Sequence, residues 1–151
     1  MGTSFGTGIK RALCGGLFLL STAVTCGAAD YVNVSRDGIN LRSGPGTKYE
    51  VLFELPADYP LKVLETKGDW LKVVDYENDR GYIHKDMTSK SGAVIVKVRE
   101  ANVRKEPSTK AEKVGTVAKD VILKAVEKKG DWIKVTHPKL TGWIHRKLVW
   151  P

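Results

Sequence analysis

Beyond residue 29 the chain has no cysteine, because both of its cysteines, Cys14 and Cys26, lie near the N-terminus. The remaining 122 positions (151 − 29) therefore offer no disulfide, thiolate metal site or cysteine nucleophile. Histidine is also scarce. His84, His137 and His145 have no second His or Cys at ligand spacing nearby, so no metal and no cofactor is expected. No window carries an amphipathic helical period of useful length, which argues against a helical class. Acid is outnumbered by base, 17 Asp and Glu against 25 Lys and Arg, for a net charge of +8. Such a balance suits an anionic partner without choosing among them.

The first 29 residues differ in kind. Lys10 and Arg11 precede the uncharged stretch Ala12 to Cys26, and Gly27-Ala28-Ala29 supplies small residues. This order is that of a secretory signal peptide over residues 1–29, with cleavage before Asp30. The apolar stretch is short against the roughly 20 residues of a membrane span, so no stable span is expected after cleavage. Ala23-Val24-Thr25-Cys26 leaves lipidation of Cys26 as the alternative. Removing residues 1–29 takes away Lys10 and Arg11 and no acid, so +8 becomes 8 − 2 = +6. Export to a periplasm or outer envelope makes nucleic acid an unexpected partner and anionic envelope polymers the expected surroundings.

The rest of the chain says the same thing twice. Asn40-Leu41-Arg42 falls on Asn102-Val103-Arg104 at an offset of 62, and Lys67 to Val73 falls on Lys129 to Val135 at the same offset. Pro45, Asp58 and Leu61 meet Pro107, Asp120 and Leu123. One deletion shifts the offset to 61, and Gly81-Tyr82-Ile83-His84 then meets Gly142-Trp143-Ile144-His145. This is an internal duplication. It divides the chain into residues 30–88, a linker at 89–92, and residues 93–151.

Within the first copy, short alternating runs predict strands at Tyr31 to Val34, Ile39 to Arg42, Val51 to Leu55, Leu61 to Glu65, Trp70 to Val74 and Gly81 to His84. Ser43-Gly44-Pro45-Gly46-Thr47 reads as a shaped loop, and Lys67-Gly68-Asp69 as a tight turn. Five or six short strands per copy suit small barrels. The fold class expected from pattern is all-β, two small β-barrels in tandem.

The same residues carry a family resemblance. Ile39 to Thr47, Gly68 to Val73 and Gly81 to His84 resemble the bacterial SH3 domain family, and Ala101 to Thr109, Gly130 to Val135 and Gly142 to His145 match the same three blocks. The second copy departs at Lys105-Glu106-Pro107-Ser108, where both glycines of the first are lost. The resemblance implies binding to peptidoglycan, particularly its peptides. An adaptor for an envelope protein, or an accessory subunit of a cell-wall hydrolase, is the alternative.

No residues remain for a catalytic domain, and a histidine copied into both repeats is better explained by the fold than by one active site, so no enzyme is expected. The aromatics are the candidate ligand contacts, the alternative being that these rings cover the open ends of the small barrels. In Trp70-Leu71-Lys72-Val73 an aliphatic core face sends Trp70 outward, and Ile83 likewise opposes Tyr82. Trp132 and Trp143 repeat the arrangement, which predicts Trp70 beside Tyr82 and Trp132 beside Trp143 across neighbouring strands. Asn40, Arg42, Asn102 and Arg104 flank the Pro-bearing loops, where a guanidinium either pins the loop backbone or meets a ligand carboxylate.

Overall fold

The computed structural model describes residues 29–151. The signal-peptide and Cys26 expectations fall outside the described residues. Among those described, no helix is long and apolar enough to cross a membrane.

The first copy forms seven strands: β1 (Tyr31–Val34), β2 (Ile39–Arg42), β3 (Val51–Leu55), β4 (Pro60–Lys67), β5 (Trp70–Val74), β6 (Arg80–His84) and β7 (Thr88–Ser89). The second repeats the series as β8 (Ala93–Val96), β9 (Glu100–Arg104), β10 (Lys113–Ala118), β11 (Ile122–Lys129), β12 (Trp132–His137), β13 (Leu140–His145) and β14 (Val149–Trp150). The strands make two antiparallel sheets of the same order, β3-β2-β6-β5-β4-β1-β7 and β10-β9-β13-β12-β11-β8-β14. This is the all-β architecture of two tandem SH3-like barrels.

Alternation builds both cores. Val34, Leu41, Leu61, Val73 and Ile83 are buried in the first copy, and their counterparts Val96, Val103, Leu123, Val135 and Ile144 in the second. Strands β2, β5, β6, β9 and β12 thus turn alternate residues inward, whereas β8 is buried throughout and β3 leaves Val51, Leu52 and Phe53 exposed. Repeated backbone devices shape the chain between strands. Gly68 and Gly130 both take φ of 58° in the tight turns, a conformation glycine adopts without strain. Asp58 and Asp120 take φ of 62° and 69°, and their N–H groups bond the equivalent carbonyls of Val34 and Val96. Register shifts between Val63 and Glu65, and between Ala125 and Glu127, leave Leu64 and Val126 exposed in the two copies. Such bulges bend a strand sharply enough to wrap a small barrel.

A single 3₁₀ turn follows β6 at Lys85–Met87, and another follows β13 at Arg146–Leu148. Sequence periodicity gave no sign of either, since three residues are too few to carry a period.

Candidate functional site

On β5, Leu71 and Val73 are buried while Trp70 and Lys72 are half-buried on the outer face. On β6, Ile83 is buried while Tyr82 and His84 lie outside. The pairing across these strands differs from expectation. Trp70 stands opposite His84, with ring centroids 5.2 Å apart at 87°, and Tyr82 stands opposite Lys72. In the second copy Trp132 stands opposite His145, 5.2 Å apart at 71°, and Trp143 opposite Lys134. In an edge-to-face pair the edge of one ring meets a single face of the other, so each tryptophan keeps at least one face clear of the imidazole.

Trp143 is a second correction. It belongs to the outer face but is only 8% exposed. β13 lies between β9 and β12, and Trp143 is in register with Arg104 on one side and Lys134 on the other. A period of two tells which face a side chain takes, not how far its neighbours cover it.

The histidines hold the ends of their strands. His84 Nδ1 accepts from the Asp86 N–H at 3.2 Å, and His145 Nδ1 from the Lys147 N–H at 3.3 Å, so each caps its 3₁₀ turn. The two arginines hold loops. Arg42 Nη1 donates to the carbonyls of Thr47 and Tyr49, both at 3.0 Å, and Arg104 Nη1 donates to the carbonyl of Ala111 at 2.9 Å. Ala111 is the counterpart of Tyr49, so the same bond is made twice. The guanidinium pins the loop, and Arg42 lines the same cleft as Trp70.

These elements converge on a cleft of about 380 Å³ in the first copy. It gathers Asn40, Arg42 and Trp70 with three residues that the sequence reasoning left aside, Arg36, His84 and Asp86. Arg36 reaches it from the β1–β2 turn and donates to Met87 Sδ at 3.5 Å. Tyr82 is on the same sheet face but does not line the cleft; it registers with Arg42 across β2 and β6. The duplicated histidine was the signal that the site reaches past the tryptophan. The equivalent surface of the second copy carries Val98, Glu100 and Lys147 where the first has Arg36, Gly38 and Asp86. Asn102 is exposed there. The scaffold is duplicated, and the charges on it are rearranged. Among the described residues no three His, Cys, Asp or Glu side chains cluster as a metal site would require.

Residues 37–89 and 99–149 both match the bacterial SH3 domain family. The chain belongs to that family. Each match takes in the paired Trp and His and the arginine-held loop of one SH3 domain. A protein of Bacillus subtilis named as an N-acetylmuramoyl-L-alanine amidase, YrvJ, is 26% identical over 144 residues. The alignment covers 88% of this chain and 28% of that protein. Among solved structures, NlpC2 of Trichomonas vaginalis aligns with a TM-score of 0.36 at 17% identity, over 82% of this chain and 48% of that one. NlpC1 of the same organism aligns with a TM-score of 0.36 at 17% identity, over 89% and 50%. The chain therefore spans half or less of the length of these relatives.

Proposed function

We propose that the chain is an exported, non-catalytic binding protein whose two SH3 domains recognise peptidoglycan through its peptides. The observation that carries this reading is the cleft of the first domain, where a fixed tryptophan, an asparagine amide and two guanidinium groups meet. The Trp70 face offers contact area at low entropic cost. Asn40 has the donor and acceptor a peptide backbone needs. Arg36 and the unused N–H groups of Arg42 suit a stem-peptide carboxylate. Trp132, Asn102 and Arg104 give the second domain a related surface, and two weak sites joined by a short linker gain through effective concentration on a repeating polymer.

The amidase name of the Bacillus subtilis relative supports a wall setting. The leader sequence supports export, and the basic balance suits an anionic envelope. A non-catalytic role is supported by the histidines. His84, His137 and His145 each commit Nδ1 to a backbone N–H, of Asp86, Lys139 and Lys147. Among the described residues none of the three hydrogen-bonds a Ser, Thr or Tyr hydroxyl, as a general base beside its nucleophile would.

Co-sedimentation with purified peptidoglycan sacculi at low and moderate salt tests the reading. Binding that survives moderate salt and falls for Trp70→Ala with the fold intact is expected. Binding that Trp70→Ala and Trp132→Ala leave unchanged would sink it. A second reading, an accessory subunit of a cell-wall hydrolase, is favoured by the edge strand β3, whose Val51, Leu52 and Phe53 are all exposed. Stoichiometric co-purification with a hydrolase, lost on Phe53→Lys, would be its signature.

A further inference from the structure

The second cleft of interest lies between the two SH3 domains and owes nothing to the duplication. It is an open recess of about 690 Å³, within the range of small-molecule sites. Tyr31 of β1 and Trp150 of β14 form one wall, their ring centroids 5.4 Å apart at 86°. Both rings are half-buried and so keep exposed area. Their repeat counterparts are Ala93 and Ser89, which means that neither aromatic is required by the barrel itself.

The rest of the lining is basic. Five cationic side chains and no carboxylate border the cleft. Lys90 pairs with Asp30, and Arg146 with Asp131 at 2.9 Å. Lys97, Lys128 and Lys147 make no ion pair among the described residues. Their counterparts in the first domain are Ser35, Thr66 and Asp86. At these three positions one barrel thus carries three cations without an ion pair among the described residues, and the other a single acid. Three like charges around one recess repel each other, and an anion between them relieves that repulsion.

We infer that this inter-domain cleft is a binding site for a small anionic saccharide unit, a sugar ring bearing a carboxylate or a phosphate. The ring packs on the Tyr31–Trp150 wall, and the charged group sits among Lys97, Lys128 and Lys147. The site is separate from the Trp70 cleft, so it adds a ligand class to the peptide reading and does not depend on it.

Titration of the full-length protein by ¹H–¹⁵N NMR tests this, with N-acetylmuramic acid as the carboxylate probe and glucose 1-phosphate as the phosphate probe. Neutral N-acetylglucosamine is the control. The amides of residues 92–97 and 146–150 are expected to shift with at least one acidic probe and to stay in place with the neutral one. The probe that binds names the charged group. Lys97→Ala and Lys128→Ala, both at exposed positions, should each weaken binding about fivefold, as loss of a charge-assisted contact does at a partly solvated site. Three results would overturn the inference: no shift with either acid, equal binding of the neutral sugar, or shifts spread over all basic faces. Binding of sacculi through Trp70 is read separately, so either proposal can fail alone.

Discussion

Replacing Asn33 by alanine should loosen the join between the domains while sparing both barrels. Asn33 is the sole polar side chain in the buried core among the described residues, at 4% exposure. Its Nδ2 donates to the Asp58 carbonyl at 2.9 Å and to the Ala93 carbonyl at 3.1 Å, and its Oδ1 accepts from the Gly92 N–H at 3.1 Å. Two of these three bonds cross from the first domain to the linker and β8. Each is worth about 1 kcal/mol net, and the buried Ala93 carbonyl would be left without this partner, so a loss of about 2–3 kcal/mol is expected. Gly92 is exposed and water can replace its bond, which keeps the figure from rising further. Urea denaturation gives the total. Hydrogen exchange locates it, because the Gly92 amide should lose more of its protection than the Val73 and Val135 amides. An unchanged midpoint with Gly92 still protected would refute the reasoning.

Gly142→Ala should cost about 2–3 kcal/mol by overpacking, since a Cβ there would sit 2.6 Å from the Arg104 carbonyl oxygen and 2.8 Å from Val103 Cγ1; an unshifted urea midpoint would show that β9 can move aside. His84→Ala removes both the cap and the edge contact to Trp70, so peptide binding should weaken several-fold and thermal stability fall by about 1–2 kcal/mol; calorimetry and titration of a stem peptide read the two. Tyr59 and Tyr76 are both held above the ordinary tyrosine range, first by desolvation and then by Asp75 and Asp120 respectively. The unfolded chain ionises its tyrosines near pH 10 while these two keep their protons, so stability present below about pH 10 should drain away above it. Tyr59→Phe should flatten that alkaline fall in a denaturation series, and an identical slope would contradict the assignment.

The duplicated positions were legible because β5 and β12 write their buried face as a period of two, and Val73 and Val135 could be read as core without knowing any partner. The Trp70–His84 pairing was not legible, for a physical reason. The register of β5 on β6 is set by the intervening loop, where the Asp75 N–H bonds the Asp79 carbonyl and Asp75 Oδ1 accepts from the N–H groups of Glu77 and Asp79. A two-residue change of register keeps every side chain on its own face, so alternation fixes the face and leaves the partner open. The burial of Trp143 was hidden likewise, since its register partners Arg104 and Lys134 lie on two other strands. Arg42 and Arg104 were open between loop and ligand on sequence grounds, and their bonds to Thr47, Tyr49 and Ala111 put one Nη of each on the loop.

The contacts between the domains were hidden because they use residues that the repeat does not repeat. Tyr76 bonds Asp120, and Lys119 meets Glu77 at 2.8 Å. Tyr76 and Glu77 sit in the β5–β6 loop, residues 75–79, where β12 and β13 are joined by residues 138–139 alone, and the counterpart of Asn33 is Ile95. Duplication alone would have produced two interchangeable beads. Instead the first half carries the hooks, Asn33, Tyr76 and Glu77, and the second carries the eyes, Ala93, Lys119 and Asp120. A chain rebuilt with its halves exchanged would present Ile95 and the short loop to a partner whose hooks face away. The pair therefore has a head and a tail, and recombination that moves one half without the other would deliver two folded barrels with no fixed spacing between their clefts.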